Sequence, residues 1–246
     1  MLGVVGSLSL DLVDGGPPRP GGAVYYAAEA LRLLGAPASI VAKCAPADRV
    51  ELGLDAEWLP AAVTTTFSFS YDGDARTMSV LEVGDPWQPE DVEGRLSGVD
   101  WLHVGGLLRS DFPAQTIAAL APGRWLSLDG QALVRPGRPG PLRPDGDVDP
   151  RILEAAQLLT LSEEEAEVLG DVDVPELVVT LGARGSILRA AGEEHRIEIE
   201  PVSGVDPTGA GDAFAVGYLA ARIASEPPLA AAHRASALVT ELLSRR

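Results

Sequence analysis

Residues 206–214, Asp-Pro-Thr-Gly-Ala-Gly-Asp-Ala-Phe, set three small residues, Gly209, Ala210 and Gly211, between two acids, Asp206 and Asp212. The following run "GAGDAFAVGYLAARIA" has few helix breakers beyond Gly217, so a helix is expected to open at this turn. A helix start offers unpaired backbone N–H groups and the positive end of the peptide dipole, and glycines there let an oxyanion approach closely. Asp212 would lie in the first turn, where the dipole favours the ionised form and fits it to take a proton from a hydroxyl. An anion hole beside a base is what phosphoryl transfer to an alcohol needs. At this point the alternative stays open: a glycine turn followed by an acidic first helical turn, with no chemistry attached.

Two other nucleotide motifs fail. No G-x-x-x-x-G-K-[ST] occurs, and Lys43 has no glycine loop before it, which excludes a P-loop. "GAGDAF" has Phe214 where G-x-G-x-x-G places its third glycine, and it lies too near the C-terminal end of the sequence to open a dinucleotide-binding βαβ unit.

The elements that must position this turn alternate. Apolar runs at 2–7, 38–43, 101–106, 125–130, 157–162 and 177–182 read as buried strands. Between them, "AVYYAAEALRLLG" places Ala27, Ala30, Leu31 and Leu34 on one helical face and stops at Gly35, a C-terminal cap signal. Further helices are expected at "DFPAQTIAALA", "PRILEAA" and "SEEEAEVLG", and at 209–224 and 229–244. Such alternation implies crossovers and a largely parallel sheet covered on both faces. One stretch departs from it: 64–83 alternates with period two on either side of Asp72-Gly73, a hairpin signal, and reads either as a flap over a site or as an ordinary antiparallel edge. The Pro/Gly-rich run 134–150 reads as a long ordered loop. The expectation is one domain, 1–246, with a small lid formed mainly by 64–83.

Net charge of −17 argues against a nucleic-acid surface, and no run approaches the roughly 20 apolar residues of a membrane span. The sole cysteine, Cys44, cannot form an internal bridge and is expected to be buried, which with the absence of a leader-like start suggests a cytoplasmic protein. There is no asparagine, and Lys43 is the only lysine.

"DPTGAGDAFAVGYL" resembles the C-terminal signature of the ribokinase-like (phosphofructokinase-B) carbohydrate kinases. Three further stretches stand in family order: "GGAVYYAAEALRLLG" (21–35), "LSEEEAEVL" (161–169) and "VVTLGARGSIL" (178–188). The resemblance implies a three-layer α/β sandwich with a mostly parallel central sheet, helices on both faces and a small β lid. It implies an ATP-dependent kinase of a small sugar or polyol, using Mg²⁺, with a monovalent cation (K⁺) and a homodimer left open. Carried over, Asp212 is the base and Gly209, Ala210 and Gly211 the anion hole. Thr180, Gly182, Gly185, Ser162 and His233 fall on the nucleotide side, and Asp11, Gly21 and Gly22 face the acceptor.

"LDGQALVRPG" (128–137), with "LHVGGLLRSD" (102–111), is similar to the myo-inositol kinase branch, which implies Asp129, Arg109 and Arg135 as acceptor or phosphate contacts. Ser162 stands where the family has Asn. Ser162-x-x-Glu165 is both a capping box and, by resemblance, an indirect Mg²⁺ contact through Glu165. The family's helix-two Asn is replaced at Tyr25 or Tyr26, and the chain lacks the usual helical segment after "VAKCAPADRV". His103, His195 and His233 lack metal-ligand spacing and receive no catalytic role. Against the kinase stand a degenerate kinase that only binds nucleotide or sugar, and a structural role in which the flap is an oligomer interface.

Overall fold

A computed structural model of the chain describes residues 1–72, 75–202 and 204–246, the side chains of 71–76 excepted. The strands are β1 (Leu2–Ser7), β2 (Ser9–Val13), β3 (Arg19–Gly21), β4 (Ala38–Cys44), β5 (Ala56–Pro60), β6 (Thr65–Asp72), β7 (Ala75–Glu82), β8 (Trp101–Gly105), β9 (Trp125–Asp129), β10 (Gly140–Pro141), β11 (Leu158–Ser162), β12 (Glu176–Thr180), β13 (Ser186–Ala190) and β14 (Glu193–Ile197). The helices are α1 (Ala23–Leu34), α2 (Pro89–Val92), α3 (Ala114–Leu120), α4 (Gln131–Val134), α5 (Pro150–Ala155), α6 (Glu163–Leu169), α7 (Ala210–Ile223) and α8 (Pro228–Ser244).

Nine strands form the main sheet in the order β14-β13-β12-β11-β9-β8-β1-β4-β5. From β5 to β12 every pairing is parallel, and β13 and β14 add an antiparallel edge. Side chains of a strand alternate between faces, so neighbours separate: Val4, Ile40 and Leu158 join one core, Val5, Val41 and Leu159 the other. On the first face α1, α7 and α8 supply Leu31, Val216, Leu219 and Leu238. On the second, α2, α3 and α5 supply Val92, Ile117, Leu120 and Ile152. This is the largely parallel sheet covered on both faces that the alternation implied.

Helix α1 follows its pattern. Ala27, Ala30 and Leu31 are fully buried, and Gly35 ends the helix in the left-handed conformation at φ 60°. Leu34 departs from the expectation: it shares the face of Ala27 and Leu31 but, as the last residue before the Gly35 cap, it is 40% exposed.

Strand β6 pairs antiparallel with β7, as the alternation predicts; the turn residues 73 and 74 lie outside the described residues. The hairpin belongs to a second sheet ordered β10-β7-β6-β2-β3. Two of its strands, β2 and β3, come from the segment just after β1, and β10 comes from the 134–150 loop, so that run is not merely a connector. Phe67, Phe69 and Val80 pack with Leu107 and Leu108 in a small separate core.

Two buried groups conform to composition. Cys44 is buried and its thiol is pushed up to about 11, chiefly by burial. Lys43 is buried with its ammonium on Asp91 (2.7 Å) and on the Pro86 carbonyl (2.9 Å), beside the Trp87 ring. Among the described residues no helix is long and apolar enough to cross a membrane.

Candidate active site

From β1 the chain runs outward through β4 and β5, then returns to fill the other side through β8, β9, β11 and β12. Open α/β sheets bind ligands beyond the carboxyl ends of their strands near such a reversal. A cleft of about 320 Å³ lies there. Its floor comes from Asp129, Thr160–Ser162 and Thr180 at the ends of β9, β11 and β12, and one wall from Gly209–Asp212 at the start of α7. The lid sheet contributes Ser9, Asp11, Phe67, Phe69 and Met78.

Gly209 turns the chain into α7 at φ 79°, and a Cβ built on it would stand 2.1 Å from Cγ of Tyr26. Only glycine satisfies both the left-handed backbone and the close approach of the ring. Gly22 enters α1 in the same way, at φ 91°, with Ser7 and Ser9 backbone atoms 2.7 Å from where its Cβ would lie. Upstream, Asp206 accepts from the Thr208 N–H at 2.9 Å and from its hydroxyl at 2.5 Å, closing the turn. The Arg246 guanidinium reaches the Thr208 carbonyl (2.5 Å) and Glu29 (2.7 Å) and lies over Tyr26, tying the motif to α1.

The donor groups of the turn differ from the expectation in one place. The Ala210 N–H is bonded to the Pro207 carbonyl at 3.0 Å and is already engaged, where an open donor was expected. The first bond into the helix proper is Ala213 N–H to Gly209, and among the described residues the N–H groups of Gly211 and Asp212 have no backbone acceptor outside it. Both residues line the cleft, so their N–H groups are the open backbone donors of this turn.

Asp212 lies at the cleft but is 8% exposed, and its Oδ1 has no hydrogen-bond partner among the described residues. Its carboxyl is pushed well above the usual carboxylate range, first by burial and then by Asp129 beside it; Arg135 pulls it down and Glu165 pushes it up. The helix dipole, expected to favour the ionised form, is outweighed by desolvation and a second buried acid. That runs against the ionised form expected from the helix dipole alone.

Asp11 lines the cleft, with its Oδ1 held by the Ser9 hydroxyl at 2.8 Å; Gly22, Asp129 and Arg135 line it as well. Gly21 does not line it: a Cβ there would sit 2.3 Å from Asp11 Oδ2, so its smallness makes room for that carboxylate. Thr180 and Gly182 lie between the cleft and a second hollow of about 310 Å³, which Gly185 also lines. The second hollow is walled by apolar side chains, Ile199, Val202, Val205, Phe214, Val239 and Leu243 among them.

Ser162 and Glu165 form the capping box in full: Ser162 N–H to Glu165 Oε2 at 2.8 Å, and Glu165 N–H to Ser162 Oγ at 3.2 Å. Both residues nevertheless line the cleft, and burial pushes the Glu165 carboxyl up.

Two predicted contacts are misplaced. Arg109 does not line the cleft; it donates to the carbonyls of Leu133 (2.6 Å) and Asp145 (2.8 Å) and pairs with the Asp145 carboxylate, pinning the 134–150 loop. His233 is exposed on α8, one turn before Ser236, and lines neither cavity.

Sequence reasoning missed His103. Strands β8 and β9 pair with His103 opposite Ser127, and the alternation of faces puts Ser127 and Asp129 on the side His103 occupies. The ring is fully buried, Nδ1 lies 3.3 Å from Ser127 Oγ, and Nε2 lies 3.3 Å from Asp129 Oδ2. One atom each of His103, Asp129 and Asp212 lies within 4.8 Å of the other two. Strand pairing, invisible in one sequence, was the signal needed. Tyr26 rather than Tyr25 faces the cleft, and burial pushes its phenol well above the usual range.

A parallel-sheet crevice closed by a β lid, with an open helix start and a buried acid, defines a ribokinase-like phosphotransferase fold. Residues 88–243 match the pfkB family carbohydrate kinase model, more than half of the chain, and the chain belongs to that family. It is 32% identical over 190 residues to a fructokinase of Klebsiella pneumoniae, a match covering 62% of this chain and 58% of that one. The chain thus spans less than two thirds of that relative. Among solved structures, a pyrophosphate-dependent kinase of the ribokinase family, complexed with a pyrophosphate analog and myo-inositol, superposes with TM-score 0.85 at 22% identity, over 99% of this chain and 95% of that one. A nucleoside kinase of Burkholderia thailandensis in complex with inosine gives TM-score 0.74 at 19% identity, over 97% and 89%. At these identities the structures share the fold.

Proposed function

We propose that the chain transfers the γ-phosphoryl group of ATP to a hydroxyl of a small sugar or polyol, with Asp212 as general base. The observation that carries this is the meeting, in one cleft, of the Asp212 carboxyl with the unengaged N–H groups of Gly211 and Asp212. The acceptor would lie between Asp11, Asp129 and Arg135 and the apolar underside of the lid, Phe67, Phe69 and Met78. Polar groups below and rings above suit a molecule with hydroxyls on one side and C–H bonds on the other.

Asp212 takes the hydroxyl proton as the acceptor oxygen bonds to phosphorus and the bond from phosphorus to the bridging oxygen breaks, leaving ADP. The donors at the start of α7 hold the charge on the transferring group. Covering by the lid keeps water from competing with the acceptor. Glu165, half-buried at the cleft, would meet Mg²⁺ indirectly through water as a carboxylate; when bound, the ion would neutralise phosphate charge.

A pyrophosphate donor is the second reading, favoured by the similarity to the pyrophosphate-dependent kinase. The apolar hollow beyond Gly182 and Gly211 supports a nucleotide, since a base and ribose would fill it and pyrophosphate would leave it empty. A coupled screen of sugars, inositols and nucleosides with each donor tests both. Asp212→Asn is expected to lower turnover by at least about a thousandfold, within the range of general-base contributions, while ATP still binds in calorimetry. Undiminished turnover by that variant removes the base. Tight ATP binding with no productive acceptor would instead indicate a nucleotide-binding module.

A further inference from the structure

The kinase reading leaves His103 unused, and its surroundings are unusual. Three polar atoms in one buried cluster, His103 Nε2, Asp129 Oδ2 and Asp212 Oδ1, have no hydrogen-bond partner outside the cluster among the described residues. Buried polar atoms are rarely left so, and two neighbouring buried carboxylates cannot both carry charge cheaply. The cluster therefore holds a proton, and its position decides whether Asp212 can act. If the proton rests on Asp212, the base is blocked. If it rests between Asp129 and His103, Asp212 is ionised and ready.

An imidazole has a greater affinity for a proton than a carboxylate does, and here one ring nitrogen faces Asp129 at 3.3 Å while the other faces Ser127 at 3.3 Å. Because Asp129 is the carboxylate that touches both the ring and Asp212, a proton drawn toward His103 through it is drawn away from the base. We propose that His103 is a positioning residue for the transfer: it holds the proton of the cluster at the Asp129 end and leaves the Asp212 carboxylate free to accept the acceptor's proton. This rests on the kinase reading of the same site. The other ionisable groups facing Asp212 or Asp129 are Arg135 after α4, Glu165 on α6, and Tyr26 on α1; Asp11 lies across the cleft on β2. Of these only Arg135 is a cation, and unlike an imidazole it cannot take up or release a proton near neutrality.

The test is the pH profile of kcat in His103→Leu. Without the ring the proton falls back onto the carboxylate pair, so the acid limb should move to higher pH: turnover at pH 7 drops about tenfold for each unit of movement, recovers toward pH 9, and KM for the acceptor changes little. Adding Asp129→Asn removes the competing acid and should move the limb back down. A loss in His103→Leu equal at every pH, as a packing defect would give, overturns the proposal. Should that variant fail to fold, His103→Gln, which keeps a polar contact but cannot hold the proton, must show the same displaced limb. Ring ¹⁵N shifts of His103 at fixed pH decide independently of any assay: they should change in Asp129→Asn and in Asp212→Asn, and an unchanged pattern overturns the proposal even if no acceptor is found. One divalent ion retained per dialysed chain and lost in His103→Leu would also overturn it, since the cluster would then be occupied by metal. Absence of any sugar-dependent turnover in the wild-type chain, with the ¹⁵N response present, would defeat the kinase reading and leave the proton cluster standing.

Discussion

At Asp212 catalysis and stability oppose each other. Burial raises its carboxyl above the unfolded value, so the folded state favours the protonated form. Stability from this group is full below the ordinary carboxylate range and is lost as pH rises through the raised value. Asp212→Asn, which mimics the protonated acid, should therefore melt higher than the wild type at pH 8, by about 1–3 kcal/mol if the relieved group behaves as a typical unsatisfied buried polar atom. The difference should shrink toward pH 4, and equal melting at both pH values would contradict the assigned direction. Gly209→Ala should behave oppositely, losing about 1–3 kcal/mol through strain at positive φ, as well as turnover, because its Cβ displaces Tyr26. The residue types at 206–212 made the chemistry legible in the sequence, but the sharing of charge among Asp212, Asp129 and His103 was not. That depends on which side chains of separate strands face one another.

At the scale of elements, the alternation of buried runs and helical patterns revealed the parallel sheet, and the break at 64–83 revealed the hairpin. The partners of that hairpin escaped notice because β2, β3 and β10 are short: three of the five lid strands come from segments of two to five residues, too brief for a period to register. Arg109 was misassigned for a related reason. An arginine near a predicted loop looks the same whether it meets a ligand or clamps carbonyls. The lid core of Phe67, Phe69 and Val80 is separate from the two main cores, so the lid should open without global unfolding. Amides of β6 and β7 are expected to exchange hydrogen faster than those of β1 and β8. Phe69→Ala should raise KM for the acceptor about tenfold, a loss of roughly 1.4 kcal/mol, while changing the main melting transition little. Exchange at equal rates in both sheets would show instead that the lid is bound into the main fold.

For the whole molecule, composition predicted an acidic surface, and an acidic enzyme with an anionic donor must work against its own field. At −17, the chain repels ATP over a distance set by the Debye length, about 30 Å in 0.01 M salt and 8 Å at 0.15 M. The association rate for ATP should therefore rise with ionic strength over that range, opposite to the usual screening of an attractive pair; stopped-flow binding measures it. A rate that falls would mean the local field of Arg135 and the α7 start dominates at long range. Light scattering addresses whether the lid edge serves as an oligomer contact; a strict monomer rules that out.

The seat of Lys43 behind Trp87 and Asp91 has a practical consequence. Because it is the chain's sole lysine, amine-directed acylating reagents meet no solvent-facing side-chain ammonium on the intact fold. Modification at that position would then proceed only through opening of the surrounding structure, making its mass increment a covalent clock for unfolding that needs no engineered label.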